Sequence, residues 1–366
     1  SLVGSEMCIR DRSKTFSKHK YVVIPVFLTL FSIFGFTMGM SSEVMIFVPI
    51  GITLALFLGL DKVTGTAMIA LGAAVGFTAG LLNPFNVGVA QDIAELQLFS
   101  GMAYRVFILV VLLVATSAYI ICYARKVAAH PEKSVIYGIP EDQEYTFDNA
   151  TDTITVRQIA VLIVMALGFG ILIYGLSKKG WYFEEMSGLF IFMGVICGFI
   201  SGYGPSRIAR EFGEGAKGII VGCLIIGIAR TVEVILSDAN ILDTIVYGIV
   251  NIVNVMPDSI KAVGMFLCQS LINCVIVSGT GQAAVTMPLM VPVSDLVGIS
   301  RQTSVLAFQL GDGFSNSVLP MSSSLMGYLA VSKIPYSKWL KFMMPLFLIW
   351  TALGCLFMLG ALMIGY

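Results

Sequence analysis

Two polar stretches interrupt an otherwise apolar chain, Gly39-Met40-Ser41-Ser42-Glu43 and Ser278-Gly279-Thr280-Gly281-Gln282. A membrane helix broken at such a tip leaves amides unpaired at the start of its second arm and carbonyls unpaired at the end of its first. Amides at a positive helix end suit a carboxylate, whereas carbonyls and hydroxyls suit a small cation or a proton donor. A further polar break follows each tip, at Asn83-Pro84-Phe85-Asn86 and at Gly311 to Pro320, the latter running on to Ser322 and Ser323. Pro84 lacks an amide hydrogen and collides with the preceding turn, so a helix ends there. Asn83, Asn86, Ser315, Asn316, Ser322 and Ser323 either replace lost backbone partners or contact a substrate. Glu43 and Asp312 are the most exacting, because a carboxylate near the bilayer centre is costly unless paired, hydrated or protonated. Both are expected within polar breaks, as cation ligands, proton carriers or partners of a substrate ammonium or guanidinium, with structural pairing as the alternative. The candidate substrate- and ion-binding set comprises these eight residues with Ser41, Ser42, Ser278, Gly279, Thr280, Gly281 and Gln282. No catalytic residue, cofactor or protein-held metal is expected, and a coupling Na+ or H+ fits the tips.

The tips belong to an internal repeat. Pro49 and Pro288, Gly59 and Gly298, Lys62 and Arg301, Thr64 and Thr303, and Gly72 and Gly311 all differ by 239 positions. A repeat whose copies each carry a polar break within apolar sequence points to the substrate site of a secondary transporter. Hydrophobic residues make up 57% of the chain and charged residues 12%, and mean hydropathy is +0.90. An ordinary soluble domain is roughly a quarter charged. The chain therefore reads as a polytopic all-α protein of the bacterial inner membrane, partnered by the lipid bilayer and a small-molecule substrate. Zero net charge and the two histidines, His19 and His130, point to no nucleic acid and no histidine-based metal site. The seven cysteines are scattered without CxxC spacing and read as small core residues.

The first repeat is expected over 13–123, with a re-entrant hairpin at 20–58 and a broken helix at 64–97. A cytoplasmic linker at 124–156 leads to the second repeat at 157–366, with its hairpin at 259–297 and broken helix at 302–332. Further crossings are expected near Ile159 to Leu176, Phe183 to Ile200, from Gly218, and from Leu340 to Ile364, with Arg230 and Glu233 neutralising each other one turn apart. Residues 1–12 resemble the read-through of a sequencing adapter. About 120 helix-forming residues precede the second tip but only about 25 the first, so the natural protein is expected to begin upstream. If the first hairpin enters from the cytoplasm and later crossings alternate, most basic residues fall inside, whereas Arg105, Lys178, Lys179, Lys261 and Arg301 fall outside. That asymmetry follows the positive-inside rule and makes the repeats inverted. Enzyme readings lack their motifs: there is no GxxxxGK[ST] and no HExxH, Gln309 occupies the first glycine position of GxGD, and SGTGQ is no nucleophile elbow.

With tips and breaks placed, NPFNVGVAQ from Asn83, SGTGQAAVTMP from Ser278, DLVGISRQTSVLAFQLGDGFSN from Asp295 and the following LPMSSSLMG resemble the YfcC family. That family sits in the C4-dicarboxylate anaerobic carrier group of the ion-transporter superfamily. The resemblance implies an inverted-repeat fold with two re-entrant hairpins and two broken helices, a homodimer, and alternating access by an elevator-like motion. Ser42 stands where the family's first tip has the first of two acids, and Ser278-Gly279-Thr280 replaces the Ser-Asn-Thr of sodium symporters. Group members are described as dicarboxylate carriers or as basic amino-acid antiporters. None of the four polar breaks contains Lys or Arg, while two contain an acid, so a substrate with one carboxylate and one cationic group is expected, of the arginine or ornithine type. A C4-dicarboxylate symporter or antiporter is the alternative within transport, and a channel the alternative outside it.

Overall fold

The computed structural model describes residues 20–138, 156–179, 181, 183–239, 241, 244, 251 and 256–366. Among them are thirteen α-helices and no strand, a class in which every segment satisfies its own backbone without water. Two compact units are distinguished, residues 140–220 and residues 1–139 with 221–366.

In the smaller unit α6 (Val156–Lys179) lies against α7 (Phe183–Ile200). Gly168 and Gly175 let the Met193 side chain and the Trp181 ring close onto α6. α8 (Pro205–Asp238) begins here as one continuous helix, so the crossing expected from Gly218 is part of a longer element. The pairing of Arg230 with Glu233 concerns side chains outside the described residues, as does residue range 139–155 of the expected linker.

The larger unit is built on two buried helices. α3 (Lys62–Ala79) receives α1 (Val23–Met38) and α2 (Val48–Phe57). A Cβ on Gly72 would stand 2.9 Å from the Leu28 carbonyl oxygen, and one on Gly76 would overlap Ser32, so α1 and α3 run side by side in the same direction. Gly65 meets Gly51, with a Cβ 2.6 Å from its carbonyl, and only the turn at 58–61 separates the helices, so α2 runs opposite. α11 (Arg301–Ser315) plays the part of α3 for α9 (Asp258–Ile272) and α10 (Gly279–Leu296). There a Cβ on Gly311 would lie 2.6 Å from that of Gln269, and Asn273 reaches Ser315, so α9 and α11 also run together.

The matched landmarks share local geometry. Gly59 and Gly298 hold left-handed φ of +70° and +71°, which glycine adopts without a Cβ penalty. Asp61 caps α3 by accepting from the Thr64 amide, and Ser300 caps α11 by accepting from Thr303. Asn83 and Ser322 cap the resumed halves of the two broken helices, the π-turn Pro84–Gly88 leading into α4 (Val89–Ile93), and α12 (Ser323–Ser332). The tips differ. A 3₁₀ turn, Ser42–Ile46, separates the first tip from α2, whereas α10 starts at Gly279, so Gly279 to Gln282 form a helical turn and not a loop.

The second break is also later than its composition indicates. α11 continues to Ser315, placing Gly311, Asp312 and Gly313 in its last turns, and the interruption covers residues 316–322. The physical reason is packing: Gly311 admits α9, and a Cβ on Gly313 would overlap the Thr78 side chain. These glycines permit close approach of helices in place of breaking one.

α5 (Met102–Ala129) and α13 (Tyr336–Ile364) complete this unit. Trp350 donates to Thr116 at 3.0 Å, Tyr104 to the Phe357 carbonyl at 2.7 Å, and Asp61 accepts from Tyr123 and Ser134 at 2.8 Å. Among the described residues four helical stretches are long and apolar enough to cross a bilayer: Lys20–Met38, Lys62–Ile93, Met102–Ala129 and Tyr336–Ile364. Phe107, Val110 and Val114 on α5, and Leu348 and Leu356 on α13, point outward, as lipid-facing surfaces require. Arg105, assigned to the outer face by charge alternation, is wholly buried in the first turns of α5. Because Gly76 and Gly311 abut backbone, Gly76→Val and Gly311→Val should each cost about 1–3 kcal/mol through overpacking. Thermal unfolding in detergent checks this, with Gly188→Ala, whose Cβ meets nothing within 4 Å, leaving the midpoint unchanged.

Candidate functional site

Asp312 is fully buried, and the groups around it come from four segments. Its Oδ2 accepts from the Asn86 carboxamide of the first break, and its Oδ1 from Asn316 at 3.0 Å. The second tip sits beside this pair, since a Cβ on Gly279 would lie 3.0 Å from Asp312 Oδ2 and 3.2 Å from Asn86 Nδ2. Thr280 donates to the Phe85 carbonyl at 2.7 Å, tying the same tip to the first break, and Ser278 accepts from the Gly281 amide at 3.2 Å. α9 contributes Asn273, which donates to the Asp312 carbonyl, to Ser315 Oγ at 2.7 Å and to Asn316 Oδ1 at 2.9 Å.

The donors reaching the carboxylate are neutral amides, and no basic side chain pairs with Asp312 among the described residues. Asn86 Oδ1, Asn273 Oδ1 and Asn83 Nδ2 are buried without a hydrogen-bond partner. A buried polar atom left unpaired costs about 1–3 kcal/mol. One anionic group with spare amide oxygens nearby has the chemistry to accept a small cation, a proton or a cationic substrate group.

The first tip joins a neighbouring structure. Ser41 Oγ lies 2.6 Å and Ser42 Oγ 3.2 Å from Ser324 Oγ on α12, while Glu43 Oε2 accepts from the Ser41 amide at 3.1 Å. Gly39 approaches Asn83, and the Leu82 amide donates to the Phe36 carbonyl at 3.0 Å. A small cavity lies between this tip and the end of α11, with Ser41, Asn316, Ser317 and Ser324 on its polar side and Phe77 and Tyr328 among its apolar lining. Phe77 also flanks Gly279, so the cavity adjoins the Asp312 cluster.

Asp312, Asn86, Ser315, Asn316, Ser278, Gly279, Thr280 and Gly281 are thus brought together, Ser41 borders the adjoining cavity, and Ser42 joins Ser324 on its rim side. Gln282 is drawn away: its carboxamide donates to the carbonyl and side-chain oxygen of Gln269 at 2.9 and 2.6 Å. Ser322 caps α12, Asn83 caps the π-turn, and Ser323 occupies the first turn of α12. Sequence reasoning missed Asn273, Gln269, Ser324 and Gln309. The first two stand out as lone carboxamides in the apolar arm before the second tip, and Gln309 precedes Asp312 by one turn, with both amide atoms buried and unpartnered. At the exposed turn between α10 and α11, Arg301 pairs with Asp295 and Glu95 at 2.8 Å, and the guanidinium keeps the Asp295 carboxyl below its ordinary range. Asn86→Ala removes one of two donors to a buried carboxylate and should lower stability by about 1–3 kcal/mol. Thermal unfolding checks it, and Ser323→Ala should leave the midpoint within about 0.5 kcal/mol.

A family described as DcuC, C4-dicarboxylate anaerobic carrier, matches residues 4–363. YfcC of Escherichia coli strain K12, provisionally described as a basic amino acid antiporter, is 32% identical over 363 residues, covering 95% of this chain and 71% of that protein. An uncharacterized protein of Haemophilus influenzae is 32% identical over 335 residues, 90% of this chain and 64% of its own length. Among solved structures, the YdaH transporter of Alcanivorax borkumensis shares the fold with a TM-score of 0.53 at 12% identity, over 94% of this chain and 78% of that one.

Proposed function

The chain belongs to the C4-dicarboxylate anaerobic carrier family, in its YfcC group, and on that premise we propose that it exchanges small carboxylate-bearing metabolites of the basic amino-acid type by alternating access. The family makes it a membrane protein of a transporter lineage. The observation that carries the substrate reading is Asp312, a buried carboxylate whose side-chain donors among the described residues are two neutral carboxamides. An ammonium or guanidinium supplies the charge that neither carboxamide brings, forming a charge-assisted bond about twice as strong as a neutral one. The second tip supplies the complementary end. The Gly279 and Thr280 amides open α10 ahead of the Gly281 amide that Ser278 caps, and they can take the substrate carboxylate at a positive helix terminus.

In this proposal the arms around each tip are re-entrant hairpins entering a bacterial inner membrane from opposite faces, and a homodimer carries a moving transport unit. The matched caps and glycines of the two copies support the repeat; charge distribution supports the inversion. Glu43 lies at the first tip, one bond from the Ser41 amide, where a coupling Na+ or H+ can be held. A C4-dicarboxylate is the second reading, favoured by the description of the family; it requires tip amides to hold both carboxylates, with Asp312 protonated.

Counterflow in proteoliposomes separates the readings: arginine, ornithine or lysine inside should stimulate uptake of labelled arginine, and succinate or malate should not. Stimulation by succinate alone contradicts the substrate choice, and flux without any stimulation from the far side indicates a channel. Asp312→Asn should reduce exchange at least 100-fold, corresponding to loss of roughly 3 kcal/mol for a charge-assisted contact. Glu43→Gln should reduce it less and alter its dependence on sodium or pH.

A further inference from the structure

Arg105 is a second charged group sealed in the larger unit. It is 0% exposed, and Nε, Nη1 and Nη2 are all buried without a hydrogen-bond partner. A guanidinium does not shed its proton in a protein, so burial does not neutralise it. Leaving a buried charge uncompensated costs several kcal/mol, and removal of one partner from a buried pair about 3–5 kcal/mol. Glu95 and Asp295, the acids shown in ion pairs at the adjoining turn, both serve Arg301.

What surrounds the first turns of α5 is a cluster of neutral polar groups. Tyr366, the polar neighbour of Arg105, donates its hydroxyl to the Gly101 carbonyl at 2.9 Å and accepts from Gln302 at 3.3 Å. Gln302 also donates to the Ser100 carbonyl at 2.6 Å, and Gln91 donates to Gln302 Oε1 at 3.2 Å. The side chains of this frame are neutral, and the Tyr366 main-chain oxygen accepts from Ser300 and Thr303. The segment leading into Arg105 is also strained, because Glu95 and Phe99 hold φ of +57° and +59°. A non-glycine residue costs about 1–3 kcal/mol in such a conformation, so this segment is poised to rearrange.

We propose that Arg105 anchors a binding site for a soluble carboxylate, reached when the segment at 94–101 moves, and separate from the cluster at Asp312. The separation follows from α11, a continuous helix on which Gln302 and Asp312 are ten residues apart, or about 15 Å at a rise of 1.5 Å per residue. A single small metabolite does not bridge that distance. The planar guanidinium fork matches a carboxylate in bidentate geometry. Phosphate offers the same match, and it can come from free phosphate or from lipid headgroups.

The test uses the full chain in nanodiscs of phosphatidylcholine, read by thermal unfolding against sodium acetate and sodium succinate, with sodium chloride at equal ionic strength as the reference. A saturable rise in midpoint with the carboxylates is expected, absent in Arg105→Gln, weakened in Arg105→Lys, and retained in Asp312→Asn. The proposal is overturned if wild type shows no carboxylate response beyond chloride, or if both Arg105 variants respond like wild type. A midpoint that rises only in phosphatidylglycerol nanodiscs, or only with inorganic phosphate, also overturns it by assigning the guanidinium to a phosphate. Should Arg105→Gln fail to fold, the wild-type titration and Arg105→Lys still decide the matter.

Discussion

A carboxylate sealed inside an apolar bundle must be met by donors from every direction, and Asp312 organises this structure accordingly. It sits in the last turn of α11 and holds Asn86 from the first break and Asn316 from the second. The second tip leans on the same pair through Gly279 and is tied to Phe85 by Thr280. One anionic group therefore joins both copies of the repeat. Moving any of these segments changes the solvation of the charge, which is the coupling that alternating access needs between occupancy and conformation.

Such convergence depends on backbones approaching closely without a hydrophobic drive between helices, since lipid is as apolar as leucine. Glycines supply it. Gly72 and Gly76 seat α1 on α3, Gly311 seats α9 on α11, and Gly313 admits Thr78 where the two buried helices cross. The outer helices have a different task. α5 and α13 join each other through Trp350 and Tyr104 and turn apolar side chains outward.

Much of the fold was legible because long apolar runs, caps and prolines act locally. The break at Asn83-Pro84 and the limits of α7 follow directly from sequence, and the 239-residue repeat located equivalent caps in Asp61 and Ser300. Errors arose where tertiary contact decides. Gly311 and Gly313 read as helix breakers, yet they are helical because α9 and Thr78 occupy the space of their missing side chains. In the candidate site, Asp312 stood out by its cost in a membrane, and Asn86 and the second tip by interrupting apolar sequence. Asn273 was not, because a lone carboxamide in an apolar arm gains meaning only when that arm is laid against α11. Arg105 entered the sequence reading only as a charge on the outer face, and its burial is visible only once α5 is packed.

The most direct test of the central claim, that substrate occupies the junction of the second tip and Asp312, is protection of a thiol placed there. Thr280 is exposed at the tip, so Thr280→Cys, in a chain whose native cysteines are replaced, reports on the junction through its rate of modification by a membrane-impermeant reagent. The account predicts that arginine or ornithine slows modification of this cysteine saturably, and that the protection disappears when Asp312 is also changed to Asn. A modification rate indifferent to every exchanged compound, or protection that persists without the carboxylate, would contradict it.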